Sequence, residues 1–327
     1  MKRIILRIGW SLVFCAAWAQ NVSDHFYAVI LSGGRTRLMN HERYWNDCAF
    51  LYQTLRQTFH IPQRNVTLLM ADGDNPERDM LRTNATGFAS SPTDLDGDGQ
   101  ADLHLAATRQ NLRMTMEQLA QQLTSDDHLL LYIVDHGELT ADGDAYFWLW
   151  NEEQLRPGEL ATLLAPLSCG TMTIVLGHCH AGAFVGPLVG DGRIVLAACG
   201  AGELSWSCAD RPYDEFVYHW TCALAQHDEH LNSVAADLDG DGRITMTEAF
   251  AYARSHDRRQ ETPTMHAQPE ALADRWSLSG VTTDGMSGVR TAVVPSVACD
   301  LLGRRMAQNR RGNGVSVERG RKKLKKR

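Results

Sequence analysis

Long apolar runs are missing from most of this sequence. After the first twenty residues no stretch reaches the length of a transmembrane helix, so we expect no transmembrane anchor. Residue pairs of the CxxC or HxxxH type are also missing, which leaves no recognisable zinc-ligand set. The 44% hydrophobic content of the 327 residues argues against a disordered chain and predicts one large globular domain with appendages.

The net charge of −7 is unevenly distributed along the chain. Residues 304–327 contain eleven Lys or Arg and one acidic residue, Glu318, so this end carries +10 and the remainder −17. A terminal run of like charge is typical of a solvated tail, with contact to an acidic surface as the alternative. We expect no nucleic-acid partner.

The first residues have the pattern of an export signal. A positive start, Met1-Lys2-Arg3, precedes a short apolar run from Ile8 to Ala17, and Ala17-Trp18-Ala19 fits a small-x-small cleavage site. We therefore expect a signal peptide over 1–19 and an exported protein, periplasmic or secreted. The main domain would occupy 20–275, followed by a C-terminal extension over 276–327.

Seven cysteines remain once Cys15 is removed with the signal: Cys48, Cys169, Cys179, Cys199, Cys208, Cys222 and Cys299. An odd number in an exported chain predicts one free thiol and up to three disulfides of undetermined pairing, with buried free thiols as an equal alternative for the other six cysteines. The free thiol would be Cys179.

Two apolar strands end in residues that suit covalent catalysis. His128 to Asp135 is followed by His136, and the strand from Met172 to Leu176 leads to Cys179 in a turn of small residues. If the strands are neighbours in a parallel sheet, His136 and Cys179 reach the same edge. A cysteine nucleophile with a nearby acid and base needs that arrangement.

Strands alternate with helical patterns along the rest of the chain. The remaining predicted strands are Phe26 to Leu31, Val66 to Met70 and Ile194 to Cys199, with a short ribbon from Tyr146 to Trp150. The predicted helices are His41 to Phe59, Gln110 to Leu123, Pro157 to Leu164 and Tyr213 to Ala225. This alternation predicts an α/β sandwich with a largely parallel sheet.

A twelve-residue calcium-loop pattern runs over 237–248. It has carboxylates at positions 1, 3 and 5, glycine at position 6 and glutamate at position 12, while position 7 of such loops contributes its backbone carbonyl. The predicted ligands are Asp237, Asp239, Asp241, Arg243 and Glu248.

A similar but incomplete loop occupies 94–105. It opens in the same way, but Leu105 stands where the glutamate is needed, which leaves Asp102 as the substitute ligand. The predicted ligands are Asp94, Asp96, Asp98, Gln100 and Asp102. The alternative is an acidic turn without a metal. We expect structural calcium and no organic cofactor.

Five motifs, in this order and spacing, resemble the legumain-type cysteine peptidases of the caspase-like superfamily, in particular bacterial exported members with DxDGDG calcium loops. They are Tyr27–Gly34, Arg43–Cys48, Asp135–Gly137, Gly177–Gly182 and Glu203–Trp206, and the likeness covers roughly residues 26–259. The resemblance implies a caspase-like three-layer α/β/α sandwich with a mainly parallel sheet, here with EF-hand-like calcium loops.

The resemblance also implies catalytic roles. Cys179 would attack the scissile carbonyl, and His136 would protonate the departing amine and then help activate water. Backbone N–H groups of Gly137 and Cys179 would form the oxyanion hole.

Substrate-binding residues follow from the same resemblance. Arg43 stands where the family has an arginine that binds the P1 side chain, which implies Asp or Asn at P1. The segment Gly202 to Ser207, which includes Ser205, would pair with the substrate backbone, and Trp206 would form the wall of a subsite.

The turn around Cys179 departs from the family pattern. Relatives commonly have an acidic or amide residue just before the cysteine and Ser-Gly or Gly-Gly two residues after it, whereas Gly177-His178 and Ala181-Gly182 stand here. This difference affects the expected P1 pocket more than the catalytic dyad of His136 and Cys179. We do not expect His178, Cys179 and His180 to bind zinc together, because neighbours on an extended strand point to opposite faces.

Two functions of different class remain. The first is an exported, calcium-stabilised cysteine endopeptidase that cuts peptide or protein substrates after Asp or Asn, with a transpeptidase or ligase as its variant. The second is a non-catalytic, caspase-like calcium-binding module. The presence of both His136 and Cys179 favours the enzyme, whereas a buried or disulfide-bonded Cys179 would favour the module.

Overall fold

The computed structural model describes residues 22–83 and 86–281. The predicted signal peptide, the basic tail, Cys299 and nearly all of the C-terminal extension lie outside the described residues. Within these ranges no helix is long and apolar enough to cross a membrane.

The described strands are β1 (Phe26–Ser32), β2 (Val66–Met70), β3 (Met80–Leu81), β4 (Phe88–Ala89), β5 (His128–Val134), β6 (Gly137–Leu139), β7 (Ala145–Trp148), β8 (Gln154–Leu155), β9 (Thr171–Gly177), β10 (Arg193–Ala197), β11 (Thr264–Gln268), β12 (Trp276–Ser277) and β13 (Gly280–Val281). The α-helices are α1 (Glu42–Gln53), α2 (Arg109–Gln122), α3 (Pro157–Leu164), α4 (Gly182–Leu188), α5 (Glu215–Ala225) and α6 (Met246–His256).

Six strands form the main sheet in the order β11-β10-β9-β5-β1-β2. The five strands from β10 to β2 are parallel, and β11 is an antiparallel edge strand. The parallel strands are nearly continuous in buried apolar residues, as expected for a sheet covered on both faces.

Side chains of each strand alternate between two hydrophobic cores. In β1, Phe26, Ala28 and Ile30 enter one core, while Val29 and Leu31 enter the other. Residues of α1, α5 and α6 line the first core, and residues of α2, α3 and α4 line the second. The predicted three-layer α/β/α sandwich is therefore confirmed.

Several predicted boundaries shift. The helix predicted for His41 to Phe59 is α1 followed by a π-helical turn, Thr54–Thr58, and the helix predicted from Tyr213 begins at Glu215 because Asp214 has an extended backbone. The edge strand β11 and the short helix α4, which contains Pro187, were not predicted.

The predicted disulfides are absent from the described chain. Cys48, Cys169, Cys179, Cys199, Cys208 and Cys222 are all unpaired thiols. The core in which Cys48 is buried and the core that holds Cys199 lie on opposite faces of the sheet, so these two cannot meet. For the described cysteines the structure shows the free-thiol alternative and not the disulfides, and the free Cys179 is as predicted.

Candidate active site

His136 and Cys179 come together because β5 and β9 are adjacent parallel strands. Val134 is paired with Gly177 in the ladder, and His136 and Cys179 each follow two residues later. Both residues therefore leave the sheet at the same carboxyl edge, as the sequence predicted. Parallel sheets commonly hold their functional residues at this edge.

Gly137 touches the backbone of the cysteine turn. A Cβ atom at Gly137 would lie 2.1 Å from the Cys179 carbonyl oxygen and 2.8 Å from His178 Nδ1, so only glycine fits. The Trp148 N–H bonds the His136 carbonyl, which makes Gly137 and Phe147 a non-hydrogen-bonded pair in the β6–β7 hairpin. The N–H of Gly137 consequently points away from β7.

The imidazole of His136 is held by groups from the loop after β1 and from α1. Its Nε2 lies 3.1 Å from the Met39 carbonyl oxygen, and the Tyr44 hydroxyl lies 3.2 Å from both ring nitrogens. The main-chain N–H of His136 donates to Asp135 Oδ1 at 2.8 Å. These contacts fix the ring and the backbone of His136 independently.

Asp135 itself is a buried carboxyl that ties the loop after β1 to β5. Its Oδ2 accepts hydrogen bonds from the Ser32 hydroxyl and the Gly34 N–H. Burial raises the pKa of Asp135, although these donors and His136 act in the opposite direction.

Cys179 is half-buried, and its thiol donates to the Ser205 carbonyl at 3.7 Å rather than to His136. Burial raises the pKa of the thiol and the Asp214 carboxyl adds to the increase, while the hydrogen bond to Ser205 and the charge of Arg43 act in the opposite direction. The resting thiol is therefore protonated at neutral pH and needs a base before it can attack.

The two histidines beside Cys179 have separate structural partners. His178 is fully buried against the rings of Phe147 and Phe184, and burial lowers its pKa to about 4. His180 Nδ1 lies 3.0 Å from the Ala201 carbonyl oxygen. His178, Cys179 and His180 lie in a turn after β9, so the expectation that they point to opposite faces of an extended strand is wrong. The side chains of His178 and His180 nevertheless bind different groups.

Arg43 forms an ion pair with a buried acid at the start of α5. Its Nε donates to Asp214 Oδ1 at 2.8 Å, and its guanidinium lies over the ring of Tyr44. Asp214 is buried, and its own N–H bonds the buried carboxylate of Asp47 at 3.1 Å. The predicted P1 arginine thus carries a buried acidic partner that the sequence pattern had not indicated.

The segment Gly202 to Ser207, which the resemblance implies would pair with the substrate backbone, begins in a turn and forms no strand of its own. Its one ladder contact in the described chain is the bridge from Ser207 to Asp214. Trp206 donates its N–H to Glu261 Oε2 and accepts from the Glu215 N–H. The Ser205 carbonyl faces Cys179, and no described residue bonds the N–H or carbonyl of Ser207.

The two acidic loops share one hydrogen-bond pattern. In the first, Asp94 accepts from Gly97 and Gly99; in the second, Asp237 accepts from Gly240 and Gly242. Asp96 and Asp239 each accept from the residue two positions later.

The loops also share the position of a closing carboxylate. Asp102 accepts the Leu95 N–H at 2.8 Å, and Glu248 accepts the Leu238 N–H at 2.9 Å, each from position 2 of its loop. Asp102 thus takes the place of the missing glutamate.

Carboxylates converge in both loops. Oxygens of Asp94, Asp96 and Asp102 lie within 4.8 Å of one another, and so do oxygens of Asp237, Asp239 and Glu248. Asp98 and Asp241 lie outside these groups and instead accept from the backbone N–H of Gln100 and Arg243. These two triads could hold a hard cation such as calcium.

Sequence patterns could not have identified Met39, Tyr44 and Asp214 as neighbours of the dyad. Tyr44 stands at an apolar position of a predicted helix, which indicates a core residue. Asp214 is 171 positions from its partner Arg43. The acidic residue at the start of the predicted helix from Tyr213 was the available signal for Asp214.

Comparison with known proteins identifies a family for this chain. The sequence profile of the peptidase C13 family matches residues 26–264. Protein GSU0716 from Geobacter sulfurreducens, known from a crystal structure, is 12% identical with a TM-score of 0.46, over 79% of this chain and 99% of that one. No curated protein matches the sequence. Because the profile covers well over half of the chain, this protein belongs to the peptidase C13 family, the legumain family of cysteine peptidases.

Proposed function

We propose that the chain is an endopeptidase that cuts after Asn or Asp, with Cys179 as nucleophile and His136 as general acid and base. The observation that carries the proposal is the paired register of β5 and β9, which brings both residues to one sheet edge. The state of Cys179 disfavours the non-catalytic alternative, because the thiol is unpaired and only half-buried.

The reaction needs His136 to accept the thiol proton before Cys179 attacks, because burial keeps the thiol protonated. The Cys179 sulfur bonds to the scissile carbonyl carbon, and the carbonyl oxygen becomes an oxyanion. His136 then gives its proton to the amine as the C–N bond breaks, which leaves a thioester. Water, deprotonated by His136, hydrolyses the thioester and restores the thiol.

The oxyanion would be stabilised by the N–H groups of Gly137 and Cys179. The Gly137 N–H points away from its hairpin partner, and the Cys179 N–H has no partner in the described chain. Donors fixed in this way before the reaction typically contribute ~3 kcal/mol of transition-state stabilisation each.

The P1 side chain would bind Arg43 and Asp214. The guanidinium can donate to the side-chain carbonyl of Asn or the carboxylate of Asp, while the Asp214 carboxylate can accept from the Asn amide. The substrate backbone would pair with Ser205, whose carbonyl accepts only from the Cys179 thiol, and with Ser207, whose N–H and carbonyl have no partner among the described residues.

Calcium would bind the two carboxylate triads as a structural ion. The triads, each closed by Asp102 or Glu248, support this assignment. An ion that binds only the folded chain stabilises it by mass action. Isothermal titration of the chelator-treated protein with calcium tests the assignment, and absence of binding would refute it.

Export is proposed from the pattern of residues 1–19 alone. Mass spectrometry of the mature N-terminus after expression in an export-competent bacterium tests it. A chain that starts at residue 20 is expected, and a full-length chain retained inside the cell would contradict export.

The proposed activity is tested by labelling the protein with peptides that end in an asparaginyl or aspartyl electrophile. Wild type, Cys179→Ala and His136→Ala are compared, with and without calcium. We expect labelling that requires Cys179 and slows strongly without His136. Absence of labelling of the folded wild-type protein in any calcium state would reject the peptidase assignment.

A further inference from the structure

Two apolar side chains project from the segment that faces the thiol. Burial alternates from Glu203 to Ser207, so Leu204 and Trp206 point outward with 50% and 39% of their surface exposed. An exposed leucine and tryptophan side by side are unusual unless they contact a ligand or partner.

A guanidinium lies beside this apolar pair. Arg259 Cζ is 5.2 Å from the centre of the Trp206 ring, within the range of a cation–π contact. No described carboxylate forms an ion pair with the Arg259 side chain. The charge is therefore available to a ligand that lies along Trp206.

The stretch 257–262 that carries Arg259 is fastened to the outward-facing segment at two further points. Glu261 Oε2 accepts the Trp206 N–H at 3.0 Å, and the Glu203 carboxylate accepts from the N–H and hydroxyl of Thr262, both at 2.9 Å. Arg259 and Trp206 consequently form a fixed pair.

Two acids lie near this pair: Asp257, whose Oδ1 accepts the backbone N–H of Arg259 at 2.8 Å and whose carboxyl interacts electrostatically with the guanidinium, and Glu261, which bonds Trp206. Burial, and then the neighbouring carboxyl of Asp257, raises the pKa of Glu261 to about 10, so this carboxyl is neutral at physiological pH. An incoming anion would therefore not be repelled by Glu261.

We infer that Trp206 and Arg259 form a subsite for an acidic side chain on the non-primed side of the substrate, an inference that rests on the proposed peptidase function. A glutamate suits both groups, because its methylenes can lie on the indole ring while its carboxylate reaches the guanidinium.

The subsite corresponds to P2. The Ser205 carbonyl faces Cys179 and so lies opposite the P1 residue next to the cleaved bond. If the substrate pairs antiparallel with this segment, Trp206, the residue after Ser205, lies opposite P2. The side chains of two directly opposite residues point to the same face of a sheet, so the side chains of Trp206 and P2 lie next to each other.

The test uses peptides that keep Asn at P1 and carry Glu, Gln, Leu or Lys at P2. With wild type we expect kcat/KM for P2 Glu to exceed that for P2 Gln by about fivefold, the range of a partly exposed ion pair. Arg259→Gln should remove this ratio, and Arg259→Glu should invert it in favour of Lys. Arg254→Gln, which removes an exposed charge of α6, should leave the ratio intact.

Failure of the subsite and failure of the proposed function give different results. If no peptide is cleaved, the peptidase assignment falls and the subsite falls with it. If all peptides are cleaved at equal rates, or if the Glu preference survives Arg259→Gln, the enzyme stands and the subsite is refuted.

Discussion

Arg43 and Asp214 form an ion pair of 2.8 Å across 171 positions of sequence, and the pair belongs to the proposed P1 pocket. An aspartate at P1 would meet the carboxylate of Asp214 as well as the guanidinium. An asparagine amide can satisfy both groups.

P1 selectivity should therefore depend on pH. Burial raises the pKa of Asp214 above its usual range, so the protonated fraction grows as the pH falls, and the pocket becomes more positive. We expect Asn to be preferred roughly tenfold at pH 7.5, equivalent to ~1.4 kcal/mol, with the ratio falling towards pH 5. Paired P1 Asn and P1 Asp peptides measure this ratio.

Asp214→Asn should abolish the pH dependence of that ratio and favour P1 Asp. Arg43→Gln should lower kcat/KM for both the P1 Asn and the P1 Asp peptide. A ratio that stays constant from pH 5 to 7.5 in wild type would contradict the role given to Asp214.

Gly137→Ala should inactivate the enzyme. The added methyl group would overlap the Cys179 carbonyl and push the two backbones apart, which displaces the proposed oxyanion donors. We expect kcat to fall by at least ~100-fold, the usual effect of losing one donor. Gly158→Ala is the matched control, since its Cβ meets open space in α3. Equal activity of both variants would exclude the close contact.

Calcium should raise the melting temperature, and both loops should contribute. Asp102→Asn and Glu248→Gln each remove one charge from a carboxylate triad, and glutamine can still serve the capping box that Glu248 forms with Thr245. The increase in melting temperature caused by calcium should be smaller in each variant. At a calcium concentration of a hundred times Kd, one bound ion adds ~2.7 kcal/mol to the free energy of unfolding. Scanning calorimetry measures it, with the exposed Asp142→Asn as control. An unchanged shift in Asp102→Asn would remove the first loop from the assignment.

The Cys179 thiol should react slowly with small alkylating agents at neutral pH. Because burial raises its pKa above 9, the thiolate fraction and the rate should still be rising at pH 9. Quantitative mass spectrometry of the iodoacetamide adduct follows the rate, with Cys179→Ala as the blank. A rate that levels off by pH 7 would indicate a preformed thiolate.

Glu261→Gln should stabilise the protein at alkaline pH. The wild-type carboxyl is protonated in the folded state up to about pH 10 but ionises near 4.5 when unfolded, so stability falls as the pH rises between these values. Glutamine avoids that loss and can still accept the Trp206 N–H. The Tm of the variant should exceed that of wild type at pH 8 and approach it near pH 4, whereas Glu270→Gln, on the surface, should change neither. A lower Tm at pH 8 would show that Glu261 is ionised.

The sheet and the dyad could be predicted because they depend on local patterns. Apolar strands of the β5 and β9 type indicate a parallel sheet, and the carboxyl ends of neighbouring strands meet at one edge, which brought His136 and Cys179 together. The substitution of Asp102 for a missing glutamate also follows from loop spacing.

The pocket around the dyad depends instead on contacts that no local pattern encodes. The approach of Asp214 to Arg43 and of Glu261 to Trp206 is set by the packing of α1, α5 and the segment after α6. Edge strand β11 has no fully buried residue and carries exposed His266 and Gln268, so it lacks the apolar run that predicted the parallel strands. The absent disulfides show the limit of counting cysteines: Cys48 and Cys199 are buried in cores on opposite faces of the sheet, and Cys208 and Cys222 are unpaired although they share one cluster.

The unpaired cysteines also bear on how the protein can be handled. Since no covalent crosslink joins any two of the six described cysteines, a reductant has nothing to cleave within residues 22–83 and 86–281. Dithiothreitol sufficient to keep Cys179 from oxidising can therefore be used in purification and assay without unfolding this part of the chain, and the same part can be produced in a reducing host compartment.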